Sequence, residues 1–302
     1  MKNPIPLAYF MLFIAPAFFT TNVVFGRLLV SVEPFTLAFL RWAIASAILL
    51  IVCRTHWATM WAVFRNNVLF CFVAAFFAFW ICGGVVYFAL KETTATNGTL
   101  IYTTPPVLIL IMDAVWRGRA ISSREVMGIL LAIFGVVVII ARGNIENLLL
   151  LNFNSGDLLF VAAAIAWAFY SVMLKSPRLS SLDTVPLLAM LATSGSFLLL
   201  PFAITEIVST GNFPSTGFEW GIIAAIVLLS SLLSFSTFQY GIKILGSSIA
   251  GIFMYLLPPW GLFFAWALLG ETMEQFHTVG TILIMAGIIV ATLPTKLFKG
   301  SD

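Results

Sequence analysis

Charge is what this sequence has least of. Only 9% of its 302 residues are Asp, Glu, Lys or Arg, whereas 61% are hydrophobic, and the mean hydropathy is +1.08. A soluble fold cannot cover that much apolar surface, so the chain reads as a polytopic protein whose surroundings are the lipid bilayer. It carries no long basic or acidic tail, which excludes nucleic acid as a partner. Cysteine is scarce as well. Cys53, Cys71 and Cys82 are odd in number and lack a C-x-x-C spacing, so neither a disulfide framework nor a zinc site is indicated. The two histidines, His56 and His277, both fall at loops, leaving no plausible Ser–His pair. H-E-x-x-H, G-x-G-D and a phosphate-binding P-loop are all missing. These absences argue against an intramembrane enzyme, an ATP-driven pump and any bound metal or cofactor.

What the sequence has is apolar runs. Charged or Pro/Gly-rich breaks divide it into ten candidate spans at about 6–29, 34–53, 67–90, 93–115, 124–141, 157–175, 184–206, 218–241, 247–268 and 276–295. Ala15-Pro16-Ala17 mimics a signal cleavage site, but the apolar run continues to about Leu29 and reads as a first helix. Of the fifteen Lys and Arg residues, Arg41 lies within a span and Arg27, Lys91 and Arg142 fall on one side of the bundle. The other eleven fall on the opposite side. By the positive-inside rule both termini are cytoplasmic, as expected of a multi-pass protein in a bacterial-type inner (plasma) membrane.

The chain also repeats itself. A shift of 153 places Tyr87 on Tyr240, Gly98 on Gly251, Tyr102 on Tyr255 and Pro105-Pro106 on Pro258-Pro259. After a one-residue deletion, a shift of 152 places Gly118 on Gly270, Gly128 on Gly280 and Gly135 on Gly287. Near the start of each half, a shift of 148 places Phe19 on Trp167, Asn22 on Tyr170 and Arg27 on Lys175. Each copy holds five spans, an odd number, so the second copy enters the membrane upside down. The expected fold is an all-α membrane protein of ten helices in two inverted five-helix repeats, residues 1–145 and 155–295, around a central cavity.

Both proline pairs fall near the middle of their spans, the fourth and the ninth. Matched helix breaks of this kind point to a transport site or a hinge, with carbonyls freed near Ile101, Tyr102 and Met254. Thr103 and Thr104 offer a purely local alternative for the freed groups.

In its pattern the chain resembles the drug/metabolite transporter superfamily, in its ten-helix EamA-type branch. The resemblance rests on "FFTTNVVFGR" (19–28), "PFTLAFLRW" (34–42), "ATNGTLIYTTPP" (95–106) and "GILLAIFGVVVI" (128–139) in the first half. In the second half it rests on "WAFYSVMLK" (167–175), "SSIAGIFMYLLPPWGLFFAWALLGE" (247–271) and "GTILIMAGIIVAT" (280–292). The family's Gly-Glu appears as Gly270-Glu271 but departs to Gly118-Arg119 in the first half, and Phe19 stands where Trp is usual. The resemblance implies movement of small metabolites, often amino acids or related compounds, commonly outward.

Arg41 is the most telling charge. Buried about two turns into a span, it needs a cavity or partner. It suits a substrate carboxylate, held bidentately, or equally helix-end carbonyls or Glu92. Tyr102, Tyr255, Trp80, Trp167, Tyr170 and Tyr87 place rings with polar atoms in the spans and are candidates to wall a site. Asn22, Asn97 and Gln239 suit substrate binding or interhelical hydrogen bonding, and Ser230, Ser234 and Thr237 share one helix face. Pro105, Pro106, Pro258 and Pro259 are the candidate hinges. With no acid at mid-membrane, facilitated transport or exchange is favoured, with proton coupling through Asp113 or Glu92 left open. The expectation is an exporter of an amino acid or related small molecule, acting as a monomer or weak homodimer. A drug or quaternary-cation carrier is the main alternative, and a channel or scaffold the non-carrier one.

Overall fold

The computed structural model describes residues 4–29, 31–92, 101, 103–118, 120–141, 144, 146, 154–269 and 274–292. All regular structure among these residues is helical, and nine of the helices are long and apolar enough to cross a membrane. We number the helices α1 (Pro4–Arg27), α2 (Pro34–Val52), α3 (68–92), α4 (Pro105–Arg117), α5 (Ser123–Ile140), α6 (Ser155–Met173), α7 (Thr184–Thr210), α8 (217–245), α9 (247–269) and α10 (Gln275–Thr292). Most boundaries fall within a few residues of the expected spans. The expected fourth span is only partly described, because residues 93–100 and Tyr102 lie outside the described set.

The few acids begin the helices. Ser122 with Glu125, Asn154 with Asp157 and Thr216 with Glu219 form capping boxes that start α5, α6 and α8. Helix α2 starts at Pro34 and lacks a side-chain cap of its own. Glu206, near the far end of α7, supplies one: its carboxylate accepts from the Phe35 and Thr36 N–H groups at 3.1 and 2.7 Å. Gly118 and Gly211 end α4 and α7 in the left-handed region, at φ 64° and 69°.

The stretch "RTHWATMWAVFRNN" between the second and third expected spans contains a helix at Trp57–Asn66. Trp57 and Trp61 are 54% and 63% exposed while Met60 and Val63 are buried. This two-faced helix explains why a nominal loop carries so many apolar residues.

Helices α3 and α8 each contain a π-helical segment, Phe76–Val85 and Ile226–Leu233. Neither contains Pro, and a continuous apolar run gives no sign of them. A π turn loosens the regular backbone ladder, so its carbonyls become available to side chains.

Glycine sets one helix crossing. A Cβ on Gly128 would lie 2.5 Å from the Gly287 carbonyl oxygen, and one on Gly135 would lie 2.6 Å from that of Gly280. Helices α5 and α10 therefore touch backbone to backbone at two levels.

Contacts define two ends of the bundle. Lys91 pairs with Glu33, Asn212 also bonds Glu33, and Ser31 bonds Glu219 at one end, here called the acidic face. Asp113 with Arg117, and Lys243 with Asp183, lie at the other, the basic face.

Candidate functional site

A cavity of about 390 Å³ lies among α1, α2, α3, α4, α5, α6, α8 and α9. It extends from mid-bundle, at Phe19, Trp167 and Phe235, toward the acidic-face ends, at Val24, Val86 and Phe160. Its floor is aromatic. Phe235 lies at the centre, with ring centroids 5.3 Å from Phe19, 4.7 Å from Trp42 and 5.5 Å from Trp167. Below the floor the basic-face half is packed shut: the Leu12 side chain fills the space a Cβ on Gly241 would need, and Tyr170 is fully buried.

Arg41 is 3% exposed and lines this cavity. Its Nε donates to Ser231 Oγ at 2.6 Å, and its Nη2 to the Ser230 carbonyl at 2.7 Å. Nη1 donates to Asn22 Oδ1 at 2.8 Å and to the Tyr87 hydroxyl at 3.1 Å. Ser230 and Ser231 lie in the π segment of α8, and Ser231 Oγ itself donates to the Ile226 carbonyl five residues back. The irregular turn thus presents the oxygens that Arg41 needs. All four acceptors are uncharged, and Arg41 has no ion-pair partner among the described residues. Glu92, an alternative acceptor considered from sequence, is exposed and is not bonded to Arg41.

Further buried polar atoms lack partners: Trp42 Nε1, Trp80 Nε1, Trp167 Nε1, Gln239 Oε1 and the Tyr255 hydroxyl. Trp42, Trp167 and Tyr255 belong to the cavity wall. An unpaired buried donor costs about 1–3 kcal/mol, a cost that a ligand accepting from it would relieve.

The structure gathers Asn22, Arg41, Trp167, Tyr255, Pro105 and Pro258 into the cavity wall. Tyr87 stands behind it, donating to Asn22 Oδ1 at 2.5 Å. Trp80 is placed elsewhere, between Phe35, Phe76 and Phe202, the last two of which are exposed. Tyr170 lies beneath the floor and accepts from Gln239 Nε2 at 2.6 Å. Pro106 and Pro259 are not wall residues, and Tyr102 and Asn97 lie outside the described residues. Ser230 and Ser234 are fully buried between helices, with Ser230 Oγ 2.7 Å from Thr21 Oγ1.

The first proline pair starts a helix, and the second follows a break within one. Pro105-Pro106 opens α4, and Thr104 takes the Ile101 carbonyl through both its N–H and its hydroxyl. In α9 a 3₁₀ turn at Met254–Leu256 precedes Pro258-Pro259, and the Leu257 N–H takes the Met254 carbonyl. The Ile101 and Met254 carbonyls expected as ligands are therefore used locally, Tyr102 lying outside the described residues, while the side chains at both breaks face one cavity.

Asp113 is buried at the basic face. It accepts from Ser247 and Ser248 at 2.7 and 2.9 Å and pairs with Arg117 at 2.6 Å, which joins α4 to the start of α9.

Comparison with known proteins agrees with this geometry. A crystal structure only 21% identical in sequence superposes with a TM-score of 0.78 over 98% of this chain and 99% of that one, so the two share a fold. An uncharacterized transporter of Bacillus subtilis, YyaM, is 26% identical over 86% of this chain and 85% of its own length. A probable terminal-alkyne amino-acid exporter of Streptantibioticus cattleyicolor is 24% identical over 65% of this chain and 63% of its own. The family model described as "EamA-like transporter family" matches residues 6–141 and again 154–293. The chain is a multi-pass integral membrane protein and belongs to the EamA-like transporter family.

Proposed function

We propose that the protein is a secondary transporter that moves a small metabolite by alternating access through the cavity around Arg41. The substrate class is an amino acid or related metabolite and the direction is export, in line with the distant alkyne amino-acid exporter. The architecture is ten helices in two inverted five-helix repeats, residues 1–145 and 155–295, working as a monomer or weak homodimer in the inner membrane with both termini cytoplasmic.

Three internal correspondences support the inverted repeat. The π segments of α3 and α8 begin at Phe76 and Ile226, an offset of 150 close to the sequence shifts. Gly128 and Gly135 meet Gly287 and Gly280, so each glycine faces the repeat mate of the other, as a two-fold axis requires. Phe19 and Trp167, also repeat mates, touch edge to face at 5.3 Å.

In this reading the basic face is cytoplasmic and the cavity faces outward. Opening the other face would part Tyr170 from Gln239 and Asp113 from Ser247 and Ser248, while the acidic-face half closes over Asn22 and Tyr87. The repeat makes these two packings near-equivalent, which is what a carrier needs and a channel does not.

The observation that carries the proposal is Arg41, a buried cation without a counter-ion among the described residues, in a cavity wall at the join of the halves. Counterflow of labelled amino acids into proteoliposomes tests it. Uptake should saturate and should fall at least about tenfold in Arg41→Gln, the loss of one charge-assisted bond. Equal uptake by Arg41→Gln would refute this use of the cavity.

A further inference from the structure

The polar groups of the cavity wall are nearly all of one kind. Arg41 offers five N–H groups, and four are used, on Ser231, Ser230, Asn22 and Tyr87. One N–H on Nη2 remains. Trp42 Nε1 and Trp167 Nε1 are donors only, and both lack a partner, as does the Tyr255 hydroxyl on a side chain 1% exposed. Acceptors are few. Asn22 Oδ1 already accepts from both Arg41 and Tyr87. No wall residue is Asp or Glu.

The acids among the described residues are committed elsewhere, and Glu271 and Asp302 lie outside that set. Glu125, Asp157, Glu206 and Glu219 hold helix N-termini. Glu33 and Asp183 pair with lysines, and Asp113 is held by serines and Arg117. Glu92, Glu146 and Glu274 are exposed. Residues 93–102, part of which lies outside the described set, contain no acid.

We infer that this cavity selects monoanionic organic acids, a carboxylate on an apolar or aromatic body, over zwitterions and cations of the same shape. This narrows the proposed substrate class from amino acids to related monoanionic acids, and rests on the reading of the cavity as the substrate site. A carboxylate is an acceptor-only group with about four lone-pair positions. It matches a wall of spare donors and neutralises a cation whose one charge-stabilising neighbour among the described residues is the Trp42 ring, 4.7 Å away. An ammonium brings three more donors to a wall already short of acceptors, and in a low-dielectric site it is repelled by Arg41. A zwitterion therefore gains the same contacts at its carboxylate and loses at its other end. A pure cation gains ring faces and the lone pairs of the Tyr255 hydroxyl, but it leaves the spare donors unmet and sits beside Arg41. The aromatic floor of Phe19, Trp42, Trp167 and Phe235 supplies the apolar complement, and about 390 Å³ holds one ring with a short chain.

The test uses three probes with one skeleton and different charge: 3-phenylpropionate, phenylalanine and 2-phenylethylamine. Each is titrated into the detergent-purified full chain by calorimetry at pH 7. The expected order is 3-phenylpropionate tightest, phenylalanine at least about tenfold weaker, and 2-phenylethylamine without measurable binding. Tyr255→Phe removes one hydroxyl and keeps the ring, so it should fold normally. It should weaken the anion about tenfold and leave phenylalanine in the same range or weaker. Equal or tighter binding of phenylalanine, lost in Arg41→Gln, would overturn the selectivity inferred here while supporting the proposed amino-acid carrier. Binding of 2-phenylethylamine as tight as that of the anion would overturn both readings. Anion binding unaffected by both Tyr255→Phe and Arg41→Gln would also overturn both, by placing the ligand elsewhere.

Discussion

Two polar pairs sit at matching depths in the two halves of the bundle and behave differently. In the first half Tyr87 of α3 donates to Asn22 of α1, five residues from the acidic-face ends of those helices. In the second half Gln239 of α8 donates to Tyr170 of α6, a similar distance from the basic-face ends. The first pair borders the cavity and binds a cation. The second is dry, neutral and packed under the aromatic floor. The sequence correspondence of Asn22 with Tyr170 makes them related positions, so the difference reflects where the bundle is open. One element breaks the relation outright. Helices α2 and α7 begin at Pro34 and Thr184, which puts Leu191 opposite Arg41. The charge belongs to one half only, so in the proposed inverted repeat the halves would open in turn around a site that is itself asymmetric.

The comparison breaks most severely where both halves meet. A Val at position 135 would drive its side chain into the Gly280 carbonyl and part α5 from α10. We expect Gly135→Val to cost about 3 kcal/mol or more, read as loss of folded protein in a detergent thermal melt. Gly221→Ala is the control, since a Cβ there meets nothing within 4 Å.

Single hydroxyls sharpen the comparison. Tyr87→Phe should leave Arg41 and Asn22 each short of a partner, at about 1–3 kcal/mol, and should weaken substrate binding. Tyr170→Phe should lose only the bond from Gln239, about 1 kcal/mol, and change the balance between open faces rather than binding itself. Paired melts with and without ligand separate the two effects.

The smallest effect lies at the surface. The hydrogen bond from Lys243 holds the Asp183 carboxyl below its ordinary value. A lowered carboxylate stabilises above its unfolded pKa, and that contribution is lost as pH falls through the folded value. Asp183→Asn should therefore lower stability by at most about 1 kcal/mol at pH 7 and by nothing near pH 2.

Much of this fold was legible in the residues. Apolar runs bounded by charge located the spans, and glycines spaced alike in the two halves marked the α5–α10 crossing. The site was half legible. Arg41 stood out because a cation within a span must have a reason, and the proline pairs announced helix breaks, though not that the freed carbonyls would be satisfied within a turn. Trp80 and Tyr170 fall off the cavity wall, since depth in the membrane says nothing about direction around the helix. Ser231 was passed over in a serine-rich stripe, since only the π turn, silent in sequence, aims its hydroxyl at Arg41. The Glu206 cap on α2 links residues 170 positions apart, beyond the reach of local spacing.

The central claim is that one cavity is exposed to each face in turn. Thr20 lines that cavity and is half-buried. The most direct measurement labels Thr20→Cys, in a chain with Cys53, Cys71 and Cys82 replaced by Ala, with an impermeant maleimide applied to either face of sealed vesicles. Labelling from both faces, slowed from both by bound substrate, is the predicted result. Labelling from the acidic face alone, unchanged by turnover, would show a dead-end pocket and contradict the account.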